Sequence, residues 1–151
     1  MSHTIENRYI GNLRTSSTHL KSGDNVITDA PTDNNGKGEA FAPTDLVSSA
    51  LCSCMSTVMG ICANKGNFSM PNSSAKITKT MGSDPRKISK IIIEFTFEKS
   101  ELTDAQKNKL MSVAENCPVA KSLNPDIKQN LTFKNNDTNL NQMKHLEIKN
   151  I

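Results

Sequence analysis

Ala42-Pro43-Thr44-Asp45-Leu46-Val47-Ser48-Ser49-Ala50-Leu51-Cys52-Ser53-Cys54 opens a stretch that stays apolar or small until Asn64-Lys65-Gly66. Its periodicity predicts one long helix. Leu46, Ala50, Cys54 and Ile61 share a face, with Val47, Leu51, Met55, Val58, Met59 and Cys62 beside them. Pro43 suits the first turn, Asp45 complements the positive end of the helix dipole, and Gly66 suits the C-terminal cap. About 22 residues at a rise of ~1.5 Å each give a rod roughly 33 Å long. No charge falls between Asp45 and Lys65, so the helix is expected to be buried nearly all round, with help from a partner subunit.

The remainder of the chain is arranged around this helix. Upstream, residues 6–20 read as a strand, Ser22-Gly23-Asp24-Asn25 as a turn and Val26-Ile27-Thr28 as the returning strand of a hairpin. Asp29 to Gly38 is a polar loop longer than a tight connection needs, which marks it as mobile or functional. Downstream, residues 73–81 and 88–98 read as strands joined by a turn at Gly82-Ser83-Asp84-Pro85. Thr103-Asp104-Ala105-Gln106 can cap a helix leading to Cys117, and a further short helix runs through Val119, Ala120 and Leu123. Ile127 to Phe133 reads as a last strand. The expected order is β-β-α-β-β-α-α-β: an α+β fold with a mostly antiparallel sheet around a long buried helix. Residues 1–134 are read as one domain and 135–151 as a polar, Asn- and Lys-rich tail.

Composition narrows the function. The chain has 151 residues with 18 Lys and Arg against 15 Asp and Glu, and the basic residues form no block. With no Trp, one Tyr and five Phe, it is a poor nucleic-acid binder. Only 35% of residues are apolar, which implies a thin monomer or one that buries more surface against a second subunit. No apolar run reaches the ~20 residues of a membrane span. The opening Met1-Ser2-His3-Thr4-Ile5-Glu6 is unlike a signal peptide, so a cytoplasmic location is expected. In a reducing compartment four cysteines are packing residues, metal ligands or redox groups rather than a disulfide framework.

Helical geometry separates three of the four. Cys52 and Cys54 are about 200° apart around the helix, and Cys54 and Cys62 are roughly 12 Å apart along it. They are not expected to pair with one another or to build a zinc site, and no metal or cofactor is expected. Cys117 precedes Pro118 and is predicted at a helix N-cap, where free N–H groups favour a thiolate; an ordinary small capping or core residue is the plain alternative. Cys54 can equally be a packing residue. One thiol on a buried helix and another at a helix start nevertheless suit oxidation of one and resolution by the other.

The run from Pro43 to Cys54, taken with Cys117-Pro118-Val119, resembles the OsmC/Ohr family of thiol peroxidases. That family has a Pro-x-Asp/Glu-Leu-Leu helix opening with its reactive cysteine eleven residues after the Pro, as Cys54 follows Pro43. A second family cysteine comes about sixty residues later in a Cys-Pro-Val-like turn, and Cys117 lies sixty-three residues after Cys54. The similarity covers about residues 8–134. It implies an intertwined homodimer with active sites at the subunit interface, and reduction of small organic hydroperoxides, and less efficiently of hydrogen peroxide, by cysteines alone with a dithiol reductant. Carried over, Cys54 is the attacking thiolate and Cys117 the resolving thiol, while Cys52 and Cys62 are structural. Family members also supply an arginine from the N-terminal strand region, for which Arg14 is the candidate and His19 a possible sharer. The family glutamate falls on Thr44 here, with Asp45 one residue on. An alternative from another class is a non-enzymatic dimer that binds a small apolar or thiol ligand in the interface pocket.

Overall fold

A computed structural model describes residues 3–98, 101–135 and 144–147. The chain divides into two compact units, Met1–Val47 and Ser48–Ile151.

The first unit is a three-stranded antiparallel sheet of β1 (Ile5–Gly11), β2 (Arg14–His19) and β3 (Asn25–Asp29), in that order. The segment read as a single strand over 6–20 is two strands. Gly11, Asn12 and Leu13 all have positive φ, at 88°, 52° and 62°, so the backbone reverses there. Gly and Asn tolerate that region and Leu does not, so only the Gly11-Asn12 pair was a usable signal. The polar loop that follows β3 is ordered by hydrogen bonds. It includes a short 3-10 turn, Thr32–Asn34, and Asn35 in the left-handed region at φ 63°. Gly38 N–H donates to Ala30 O at 3.2 Å, and Asp29 N–H donates to Phe41 O at 3.0 Å.

Helix α1 (Pro43–Lys65) begins where the sequence places it. Asp45 N–H donates to Ala42 O at 2.8 Å, and the Asp45 carboxylate accepts Ala42 N–H at 2.8 Å. These reciprocal bonds satisfy donors that a helix start otherwise leaves unpaired. The helix buries one face, not its whole circumference: Leu51 is 0% exposed, Met55 1% and Met59 0%, whereas Ile61 is 47% exposed. Ala50, Ser53, Thr57 and Ile61 on the other face are exposed. By length and composition α1 also reaches the membrane-spanning range that the sequence reading excluded, because its Ser, Thr and Gly residues cost little in hydropathy. Its buried Leu and Met side chains make it a core helix, each contributing about 1.5–3 kcal/mol of burial.

The second unit carries the sheet β4 (Ser73–Ser83), β5 (Arg86–Phe97), β6 (Lys128–Asn135) and β7 (Lys144–Glu147), in that order. All pairs are antiparallel except β5 with β6. That parallel pair requires a crossover, which α2 (Asp104–Glu115) and α3 (Pro118–Ser122) provide. On β5, Ile91, Ile93, Phe95 and Phe97 alternate inward. Ile88 is also buried although it is an odd number of residues from Ile91. A bulge resolves this: Thr80 pairs with Lys90 but Met81 with Ile88, so Ser89 is the extra residue that flips the phase. Strand β7 arises within the stretch read as a tail, whose residues 136–143 and 148–151 lie outside the described ones.

Candidate active site

Helix α2 delivers the chain to Cys117. Thr103 caps it in a reciprocal box, accepting Gln106 N–H at 3.2 Å while the Gln106 side chain accepts Thr103 N–H at 2.8 Å. After Glu115 the chain turns, Pro118 takes the first position of α3, and Cys117 becomes the N-cap residue. The Cys117 sulfur accepts the Ala120 N–H at 3.4 Å. Gln129, on β6, anchors the same short helix by donating from Nε2 to Ala120 O at 3.2 Å.

Cys117 is 1% exposed and Cys54 on α1 is partly exposed; all four cysteines are free thiols. The Cys117 side chain is hydrogen-bonded to Cys54. Two thiols 63 residues apart in sequence are thus brought together across the second unit. Burial pushes the Cys117 thiol up from its ordinary value. The Ala120 N–H pulls the other way, second only to burial; the hydrogen bond to Cys54 and the negative charge Cys54 can carry push up by less, and the Val119 N–H pulls down least. The N-cap was expected to favour a thiolate at Cys117. Desolvation instead outweighs the helix start, and Cys117 is held as a thiol that donates toward Cys54.

The other cysteines stand apart from this pair. Cys52 is 8% exposed, and burial raises its thiol more than a hydrogen bond from Ser56 lowers it. Cys62 is buried about two turns beyond Cys54 along α1. Among the described residues no group of three or more His, Cys, Asp or Glu is arranged to hold a metal ion.

The charged candidates lie in the first unit. Arg14 begins β2, and its Nη1 is 3.6 Å from Oε2 of Glu39 in the long loop. Asp45 uses Oδ2 to cap α1, and Thr44 occupies the turn beside it. His19 is exposed at the far end of β2, where Nδ1 is hydrogen-bonded to Ser22 Oγ at 2.7 Å. Glu39 was not anticipated from the sequence. The only hint was the loop's excess length and its glycines, Gly36 and Gly38, which let the backbone fold back tightly.

A search of curated proteins returns no match. The family model for OsmC-like protein matches residues 36–132. A Psychrobacter arcticus protein described as osmotic-stress-induced and detoxification-responsive is 45% identical, with a TM-score of 0.83 over 88% of this chain and 96% of that one. An OsmC-like protein of Mycoplasma pneumoniae is 14% identical, with a TM-score of 0.73 over 89% of this chain and 97% of that one. An organic hydroperoxide resistance protein OsmC from Legionella pneumophila is 17% identical, with a TM-score of 0.67 over 87% and 97% respectively. With the family model spanning well over half of its length and the α+β architecture matching, the chain belongs to the OsmC-like protein family.

Proposed function

We propose that the protein is a thiol-dependent peroxidase that reduces small organic hydroperoxides and, less efficiently, hydrogen peroxide. The observation that carries this reading is the Cys54–Cys117 hydrogen bond between a partly exposed and a buried free thiol. Cys54 as thiolate attacks the distal peroxide oxygen, the O–O bond breaks, and the departing alkoxide takes a proton to leave as an alcohol. Cys54 is then a sulfenic acid. Cys117 condenses with it, forming the S–S bond and releasing water. A dithiol reductant is oxidised to its own disulfide as it returns both cysteines to thiols. No cofactor is needed.

Arg14 is the cation assigned to stabilise the Cys54 thiolate, with Glu39 or Asp45 as its acidic counterpart. The protein acts as a cytoplasmic homodimer; the open face of α1 around Ile61 and exposed apolar residues such as Tyr9 and Leu13 support that assembly. The Legionella relative, an organic hydroperoxide resistance protein, supports the substrate class.

Peroxide consumption with dithiothreitol tests the reading. Wild type turns over cumene hydroperoxide and Cys54→Ser does not. Equal rates would leave the non-enzymatic binder as the better description.

A further inference from the structure

Asp29 closes β3 with 1% of its surface exposed. Its two carboxylate oxygens have different surroundings. Oδ2 accepts the backbone N–H of Glu39 at 2.9 Å. Oδ1 is buried and has no hydrogen-bond partner among the described residues. Leaving such an atom unpaired is costly, so residues of this kind persist where another task holds them.

Arg14 supplies that task. It is the direct cross-strand partner of Asp29, so the two side chains leave the same face of the sheet with Cβ atoms about 5 Å apart. The Arg14 Nε is likewise buried and without a hydrogen-bond partner. The carboxylate therefore reaches the guanidinium through the loop: Asp29 Oδ2 holds the backbone of Glu39, and the Glu39 carboxylate meets Arg14 Nη1 at 3.6 Å. The intervening loop is too tightly folded to drift: a Cβ on Gly36 would sit 1.7 Å from the Ala30 carbonyl oxygen.

We propose that Asp29 is the positioning residue of Arg14, fixing the 36–41 segment so that Glu39 grips the guanidinium. This inference rests on the reading that Arg14 serves the Cys54 thiolate. A purely structural Asp29 would change stability when removed but leave the dynamics of the Arg14 side chain as they were.

The test uses the full chain and two measurements. The first is the exchange with water of the Arg14 Nε–H signal in nitrogen-15 NMR at low temperature, assigned by its loss in Arg14→Met. The second is the single-turnover rate of Cys54 oxidation by cumene hydroperoxide. Asp29→Ala is expected to speed the exchange and slow the oxidation, each by about tenfold or more, because displacing a catalytic group by an ångström has effects of that size. Asp29→Asn, which retains an acceptor oxygen in place, stays within about threefold on both counts. If Asp29→Ala does not fold, Asp29→Ser replaces it, since its oxygen is too short to reach Glu39. Unaltered Arg14 exchange in the Ala or Ser variant overturns the proposal. If Arg14→Met oxidises Cys54 at the wild-type rate, the catalytic role of Arg14 falls, and the exchange measurement still judges Asp29.

Discussion

Cys117 is hydrogen-bonded to Cys54, and three influences hold its proton in place: burial, that bond, and the charge Cys54 can bear. In the proposed mechanism a resolving thiol that keeps its proton does not compete for peroxide. The arrangement predicts a division of labour between the two cysteines. Cys54→Ser loses peroxidase turnover altogether. Cys117→Ser reacts once and, with no partner to condense with, proceeds to sulfinic acid at Cys54. Intact-protein mass spectrometry after one equivalent and after excess of peroxide distinguishes the two outcomes; a stable sulfenic acid in Cys117→Ser under excess peroxide would contradict it.

Stability is expected to depend on alkaline pH through the buried thiols. Cys52 and Cys117 both titrate above the ordinary value of 9.0 in the folded chain. As pH rises through that value the unfolded chain releases these protons while the folded chain retains them. The unfolded state then binds fewer protons, so stability is full below pH 9.0 and falls above it. Urea midpoints between neutral and alkaline pH should decline in wild type and less steeply in a Cys52→Ala/Cys117→Ala variant. Parallel slopes would count against burial as the cause.

Substitutions on opposite faces of α1 should separate folding from assembly. Leu51→Ala removes a side chain that is 0% exposed and is expected to cost about 2–5 kcal/mol in denaturant unfolding. Ile61→Asp alters a residue 47% exposed in the single chain, so its effect on the fold should be small. In the proposed dimer it should instead shift sedimentation toward the monomer. A variant that sediments as wild type would show that this face is not the subunit contact.

Gly36→Ala probes the loop that carries Glu39. The added Cβ meets backbone atoms of Ala30, the nearest at 1.7 Å, and cannot be relieved by a rotamer change. It is expected to destabilise the chain by at least about 1–3 kcal/mol, the range for overpacking. Peroxidase rate should fall with it, to a greater extent than in Gly23→Ala, where a Cβ meets nothing within 4 Å and the cost is only that of the positive φ of 79°.

Local patterns in the sequence were enough for the elements whose causes are local. The span of α1, the Thr103–Gln106 capping box and the N-cap position of Cys117 depend on neighbours a few residues away, and each is where the pattern puts it. The two-motif spacing also identified the family. What the sequence did not determine depends on contacts between distant segments. The break at Gly11–Leu13 needs a Leu at positive φ, which pairing of β2 with both neighbours imposes. The parallel β5–β6 pair and the Ser89 bulge are matters of register, which one strand alone cannot specify. The upward push on the Cys117 thiol was not legible because the helix start is visible in sequence and desolvation is not. Asp29 and Glu39 had no motif at all: one is a buried carboxylate, the other a loop residue, and only the fold of residues 29–41 brings them to Arg14. Local propensity thus determined the helices and most of the strands, whereas burial and cross-strand pairing, which exist only in the folded chain, decided the protonation of Cys117 and the company of Arg14.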